Sequence, residues 1–425
     1  MHAAAEFVAA AHEVLASVPA KPDRDAAEQA LAAEVLASCR TLREEFLRRH
    51  VTQVYDELTA GRSRLRRLDD LVYGAAEAYP WLVPDRATTE TERANRQADK
   101  EGYECDQALF VAAVLDEPLL GEHLIRAMLR PTRDAVETLD YFRAHGQADL
   151  GCVRVDRRDG IGHVTVQNDR YLNAEDDAVI AALELAVDLV LLDDGCRVGV
   201  LRGGPVSHPR YRGKRVFSAG INLTHLYYGQ ISYIDFLMRR ELGPMHKMYR
   251  GHWLGDRGAG GEWETREKPW IGAVDTFAIG GGLQMLLVTD RVVADNRAYF
   301  SLPALREGIV PGTGSLRINR FVGDRLARQL IFADRRIDAD EPEARLLCDR
   351  IVEPAAMDGE IAAQAESLAG RAVIGNRRMA RLAQEPVSLF RRYLAAYSRE
   401  QMTLLYSDEL VSKLEKGWLD RRRGG

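Results

Sequence analysis

The spacing of apolar residues changes along this chain and divides it into stretches of different texture. Over residues 25–58, Leu31, Val35, Leu36, Leu42, Phe46, Val51, Val54, Tyr55 and Leu58 recur at mostly helical intervals, the pattern of a helix with one buried face. Further helical segments are expected up to residue 145, separated by Pro80, Pro84, Pro118 and Pro131, because proline kinks or breaks a helix interior. The charged run 88–100 reads as a solvated face or a loop. A boundary is expected near Ala144-His145-Gly146-Gln147, and beyond it the period shortens. Cys152-Val153-Arg154-Val155 and His163-Val164-Thr165-Val166 alternate apolar and polar residues around Asp159-Gly160, a hairpin signal.

A helix over 174–192 and a strand over 197–201 come next. A second cycle follows, with a strand over 273–277, a helix over 283–289 and a strand candidate over 291–294. Such alternation argues an α/β fold with a partly parallel sheet. From residue 338 to the end the texture is again helical, with 388–414 the longest stretch. The expected organisation is a helical N-terminal domain over 1–147, an α/β core over 148–365, and C-terminal helices over 366–425 that complete the core and the oligomer.

Composition narrows the class. A chain of 425 residues is too long for one ordinary core. Its 58 Lys+Arg against 64 Asp+Glu give a net charge of −6, which argues against non-specific nucleic-acid binding. Cys39, Cys105, Cys152, Cys196 and Cys348 are widely spaced, odd in number and without a CxxC pair. That suits reduced thiols better than a disulfide framework or a zinc site. The opening Met1-His2-Ala3-Ala4-Ala5-Glu6 lacks a basic segment followed by an apolar one, and no apolar run of about 18 residues appears. A soluble cytoplasmic protein, with no nucleic-acid or membrane partner, is expected.

The chemistry is concentrated in two small-residue turns. Phe217-Ser218-Ala219-Gly220-Ile221-Asn222-Leu223 follows a strand, and Ala278-Ile279-Gly280-Gly281-Gly282-Leu283-Gln284 leads into an apolar helix. Two such turns can aim two backbone N–H groups at one oxygen, which is how an enzyme holds a thioester carbonyl as it becomes an enolate. A metal-dependent route finds no support in the sequence. The ten histidines offer no HxD or HxE pair, His246 and His252 are six apart, and no GxGxxG is present.

These turns stand among other ordered blocks. They are Val164-Thr165-Val166-Gln167-Asn168-Asp169-Arg170-Tyr171-Leu172-Asn173-Ala174, Gly199-Val200-Leu201-Arg202-Gly203-Gly204 and Glu307-Gly308-Ile309-Val310-Pro311-Gly312-Thr313-Gly314-Ser315. In this order, over residues 149 to 425, the set resembles the crotonase (enoyl-CoA hydratase/isomerase) superfamily. The resemblance implies a ββα spiral core and an oxyanion hole made by the N–H groups of Ile221 and Gly281. A hydratase of this family carries one glutamate where Gln284 stands and another after the proline of the next block, where Pro303 is followed by Ala304. An amide cannot act as a general base near neutral pH, so ordinary hydration is not expected.

The long basic segment 205–215, the helical extension and the Gln284 and Ala304 replacements together resemble a narrower family. It comprises the arylacetyl-CoA dioxygenases that act on 3,5-dihydroxyphenylacetyl-CoA in glycopeptide-antibiotic biosynthesis. The resemblance implies a cofactor- and metal-independent reaction of that thioester with O₂, giving 3,5-dihydroxyphenylglyoxylate and CoA. Glu175 is the candidate for a carboxylate that bonds a ring hydroxyl or helps remove a proton; the alternative is a surface acid at a helix start. Arg240 or its neighbour Arg239 is the candidate partner of a substrate oxygen, with a solvated helix face as the alternative, and Gln284 is a candidate substrate ligand. Ile309, Val310, Pro311 and Gly312 are expected beside a dry pocket for O₂. His208, Pro209, Arg210 and Tyr211 are expected over the CoA moiety, with Ala219, Gly220, Asn222, Leu223, Thr224 and Gly282 around the acyl group. A homo-oligomer, trimer or hexamer, is also implied. The residues alone leave open other thioester enolate chemistry (an isomerase, decarboxylase or thioesterase) and a catalytically silent scaffold.

Overall fold

A computed structural model describes residues 2–257 and 262–423, so Met1 and residues 424–425 of the expected terminal helices lie outside the described residues. The chain divides into two compact units. One comprises residues 2–127, 223–234 and 387–423, and the other residues 128–222 and 235–386. Among the described residues no helix is long and apolar enough to cross a membrane, and the five cysteines form no disulfide.

The first unit is built of helices. Its longest, Ala26–Leu58, matches the amphipathic pattern and starts at Asp25, whose side chain accepts from the N–H groups of Ala27 and Glu28. The Glu28 carboxylate accepts in return from the Asp25 N–H at 2.9 Å, a reciprocal cap that satisfies otherwise unpaired donors. Glu104–Asp116 packs against both this helix and Val387–Leu405, burying Phe110, Val114, Phe390 and Leu394. The single helix expected over 388–414 is in fact two, Val387–Leu405 and Asp408–Arg423. Ser407 explains the break: its hydroxyl accepts from the Leu410 N–H at 3.2 Å and so starts a new helix.

The second unit carries the α/β core. Its main sheet has seven strands in the order Gln147–Asp149, Val153–Arg158, Ile161–Val166, Val198–Gly203, Trp270–Val274, Arg291–Asp295 and Arg350–Val352. The first three run antiparallel and the remaining pairings are parallel. The expected hairpin is present. Asp159 and Gly160 take φ of 52° and 77° and pair Arg158 with Ile161, the left-handed two-residue turn that matches strand twist. The sheet packs Val164, Leu201 and Trp270 into one large apolar cluster with Leu183, Val187 and Leu286.

Three departures from the expected elements build the site. The strand expected over 273–277 leaves the main sheet after Val274, and Phe277–Ile279 joins a second sheet beside Tyr299–Ser301. Asp275 holds the corner by forking Arg202 at 2.7 and 2.5 Å, while Thr276 donates to the Arg215 carbonyl at 2.5 Å. The helix expected over 174–192 begins only at Asp177, capped by Asp176, which leaves Glu175 in extended chain. Finally, 233–242 reads as a helix that Gly243-Pro244 should stop. The chain instead winds through two π-helical turns, Tyr233–Met238 and Glu241–Met245, kinks at Gly243 (φ −95°, ψ −107°), and continues as His246–Arg250. A π turn already forgoes the normal i to i−4 bonds, so the missing proline N–H costs little there.

Candidate active site

The two glycine turns meet through main-chain bonds. The Ile279 N–H donates to the Ser218 carbonyl at 3.0 Å. On the other flank Glu175 bridges Ile221 in parallel fashion, its N–H donating to Gly220 O at 2.7 Å and its carbonyl accepting from Asn222 N at 2.8 Å. Gly220 takes φ 83° and Gly280 φ 54°, conformations that glycine adopts without strain. A methyl group on Gly220 would lie 2.9 Å from Ile279 O and 3.2 Å from the Gly281 nitrogen, so only hydrogen fits where the turns touch. Among the described residues, neither the Ile221 nor the Gly281 N–H donates to a protein acceptor, and both residues are half-buried. Backbone donors left without a protein acceptor are available to a ligand.

A buried charge cluster stands against this pair. Glu175, Arg240, Glu241 and Gln284 are all at most 6% exposed. Arg240 Nε donates to Glu175 Oε2 at 2.5 Å, Nη1 to Gln284 Oε1 at 3.0 Å and Nη2 to the Gly281 carbonyl at 2.9 Å. Nη1 also donates to Glu241. The two carboxylates hold Arg240 firmly charged against the cost of its burial. Burial pushes the Glu175 carboxyl above its ordinary range, an effect that Arg240 offsets only in part. The support extends outward: Thr313 Oγ1 donates to Glu241 Oε2 at 2.6 Å, and Arg317 Nη1 donates to Thr313 Oγ1 at 2.7 Å while its other nitrogens fork Glu385 at 3.0 and 2.8 Å.

Two ends of this network remain available for a substrate. Glu175 Oε1 is enclosed yet has no hydrogen-bond partner, and a methyl group on Gly281 would lie 2.0 Å from it. Its lone pairs therefore face the backbone of the amide pair. Because Gln284 commits its carbonyl oxygen to Arg240, the sense of the amide is fixed and its NH₂ end is left for other acceptors.

The expected site residues are distributed as follows. Ile221, Gly281, Glu175, Gln284 and Arg240 converge on one place. Arg239 turns the other way, donating to Glu184 at 2.7 Å. Ala219 is half-buried, Asn222 is buried and donates to Asp176 at 3.1 Å, and Gly282 packs on Ser218. Leu223 and Thr224 belong to the helix Leu223–Tyr227 of the first unit. His208, Pro209 and Arg210 form an exposed turn, anchored by Tyr211, whose ring meets Phe277 edge-on at 5.3 Å. Ile309 and Val310 are half-buried and Pro311 and Gly312 buried. A methyl group on Gly312 would come within 2.3 Å of Glu241 Oε1 and 2.8 Å of Gln284 Oε1, so this loop closes directly on the charge cluster. Ala304 is a buried methyl.

Glu241, Thr313 and Glu307 were not singled out from the sequence. Consecutive residues on an α-helix point about 100° apart, so Arg240 and Glu241 were not expected to meet, and the π turn that joins them has no local signature beyond the Gly243-Pro244 kink. Among the described residues no group of three or more His, Cys, Asp or Glu is arranged to hold a metal ion.

Comparisons with known proteins bear on the family and the fold. Residues 156–418 match the family model for enoyl-CoA hydratase/isomerase. The chain is 49% identical over 404 residues to the (3,5-dihydroxyphenyl)acetyl-CoA 1,2-dioxygenase of Amycolatopsis orientalis, covering 95% of this chain and 92% of that protein. It is 27% identical over 208 residues to a short-chain-enoyl-CoA hydratase of Clostridium acetobutylicum, covering 48% of this chain and 70% of the relative. Among solved structures, an enoyl-CoA hydratase from Bacillus halodurans superposes with a TM-score of 0.51 at 18% identity, covering 63% of this chain and all (100%) of that one. That likeness speaks to the fold alone. With the paired glycine turns meeting as they do and the family model spanning all of the α/β core from residue 156 onward, the chain belongs to the enoyl-CoA hydratase/isomerase, or crotonase, family.

Proposed function

We propose that the protein is a dioxygenase that converts (3,5-dihydroxyphenyl)acetyl-CoA and O₂ to 3,5-dihydroxyphenylglyoxylate and CoA without a metal or organic cofactor. The observation that carries this reading is an intact amide pair whose neighbouring acid positions hold Gln284 and Ala304 instead of carboxylates. Such a site stabilises an enolate and lacks, at these two positions, the acids with which a hydratase of this family activates water. The substrate comes from the relative that is 49% identical over nearly the whole chain.

In this reading the thioester oxygen accepts from the Ile221 and Gly281 N–H groups, and loss of the α-proton places negative charge on that oxygen. The enolate is conjugated with an electron-rich ring, so it can pass an electron to O₂ directly. Recombination at the α-carbon forms a peroxide that attacks the thioester carbonyl and expels CoA. Gln284 and Glu175 Oε1 receive the ring hydroxyls, with Arg240 as the positioning residue that fixes both. Ile309 and Val310 border the place where O₂ waits, and the turn 208–211 covers the CoA. The assembly proposed is a homo-oligomer, trimer or hexamer, in the cytoplasm, with the role in antibiotic biosynthesis that the resemblance implies.

Oxygen uptake tests the reading. Purified, chelator-treated protein given this thioester is expected to consume one O₂ for each CoA thiol released. Turnover at the same rate under strict anaerobiosis rejects it.

A further inference from the structure

The acid that hydration requires at position 304 is replaced by a methyl group, but a carboxylate stands one turn later. Ala304–Glu307 is a short helical turn closed by Gly308 at φ 76°, and positions three apart share a helix face. Glu307 Oε2 lies 4.0 Å from the point where a methyl group on Gly280 would stand, beside the residue whose successor supplies an amide of the oxyanion hole. Among the described residues its carboxyl has neither a hydrogen bond nor an ion pair, because neighbouring Arg306 pairs with Asp334 at 3.1 Å. The side chain keeps partial solvent access while its surroundings are mostly protein, as in a group lining a crevice. Burial pushes its pKa up to about 7, with Asp334 adding to the rise and Arg306 opposing it. Those two are the charged groups that act on it, one from its own turn and one from the segment after Gly314–Phe332. None of the residues in the Glu175 cluster is among them.

We propose that Glu307 is the catalytic base, serving twice in each turnover. The inference rests on the proposed dioxygenase reaction, whose stoichiometry requires the α-carbon to lose both hydrogens. In the first step a carboxylate oxygen forms an O–H bond as the α C–H bond breaks. The released pair becomes the enolate double bond while the carbonyl π pair moves to the thioester oxygen. After O₂ adds and the peroxide closes on the carbonyl, the expelled CoA thiolate takes that proton from Glu307, returning it to the carboxylate. In the last step Glu307 removes the second α-proton. That C–H pair forms the ketone π bond to the oxygen on the α-carbon, the O–O bond breaks with its pair going to the carboxylate oxygen, and the proton on Glu307 leaves to solvent, which restores the base. A carboxyl titrating near neutrality suits both the taking and the giving of this proton.

The test is exchange of α-hydrogen for deuterium in (3,5-dihydroxyphenyl)acetyl-CoA, read by mass spectrometry in D₂O under anaerobic conditions. The native enzyme is expected to exchange it at a rate that rises with pH and levels off above about pH 7, where Glu307 is ionised. E307Q is expected to slow exchange by about 100-fold and to lose the inflection, while binding the thioester as tightly as the native enzyme; E307D recovers part of the rate. Exchange by E307Q at the native rate overturns the proposal. So does a native enzyme that fails to exchange or shows no inflection, and this measurement stands even if the variants do not fold. Oxygen uptake separates the two claims. Exchange without O₂ consumption rejects the dioxygenase reading and leaves Glu307 as the base of an enolate-forming enzyme, whereas uptake indifferent to Glu307 rejects only the inference.

Discussion

Arg239 and Arg240 are neighbours that serve two buried charge clusters of opposite character. Arg239 joins Glu184, Lys247, Asp188 and His252, where every carboxylate oxygen has a donor. Lys247 Nζ lies 2.8 Å from Glu184 Oε1 and 2.7 and 2.9 Å from the two Asp188 oxygens. His252 Nε2 and the Thr132 N–H complete Asp188, each at 2.7 Å. Two acids face two cations, Arg239 and Lys247, while burial holds the His252 pKa below its ordinary value, so the charges of the cluster balance. Around Arg240, by contrast, two carboxylates share one guanidinium, and Glu175 Oε1 is left without a donor. An enclosed acceptor without a partner is costly in a structural cluster. Its position beside an open amide pair supports the proposal that a substrate completes the second cluster. Burial, ion pairing and an unpaired polar atom do not by themselves separate a core from a site, since His252 Nδ1 also lacks a partner; what differs around Arg240 is an unpaired carboxylate oxygen beside backbone N–H groups that donate to no protein acceptor among the described residues.

The contrast can be broken most strongly in the balanced cluster. K247M leaves Glu184 and Asp188 buried with too few donors and is expected to lower stability by about 3–5 kcal/mol, measured by urea denaturation. A loss under about 1 kcal/mol would show that the cluster is not a closed charge network. Next comes the site itself. G281A drives a methyl group toward Glu175 Oε1 and displaces one oxyanion donor, and kcat/KM for oxygen uptake is expected to fall about 10²–10³-fold. The melting temperature is expected to change less than in K247M. If stability falls as far in both variants, the distinction between the clusters is lost. The smallest effect belongs to Q284A. It removes one neutral hydrogen bond to the substrate, so KM is expected to rise by a factor equivalent to about 0.5–1.5 kcal/mol; Arg240 Nη1 loses Gln284 Oε1 but keeps Glu241 as acceptor, so the denaturation midpoint is expected to fall less than in K247M. An unchanged KM would mean that the free end of Gln284 does not contact the thioester substrate.

Much of the α/β core was legible because local chemistry specified it. The Asp159-Gly160 turn and the period-two strands each follow from a few adjacent residues. The errors fell where a long-range partner overrode a local preference. The segment 273–277 reads as one strand, yet Asp275 is drawn to Arg202 and Thr276 to the Arg215 carbonyl, so the chain changes sheets. Glu175 reads equally well as a surface acid at a helix start. Asp176 takes the capping role instead, and Gly220 and Asn222 bind the Glu175 backbone in an extended bridge. Gly243-Pro244 reads as a stop signal, but π winding accommodates it and brings Glu241 round to join Arg240.

The chain's primary structure was thus enough to establish the pair of glycine turns, the replacement of both hydrating acids and, through them, a thioester enolate chemistry. These depend on residue type at fixed local positions, which one-dimensional order preserves. Only the folded molecule decided which arginine enters the site, which end of Gln284 is offered, and that Glu175 and Glu307 approach the amide pair from residues far apart in the chain. Side-chain direction and the satisfaction of buried polar groups depend on contacts between distant segments, and no local pattern encodes them.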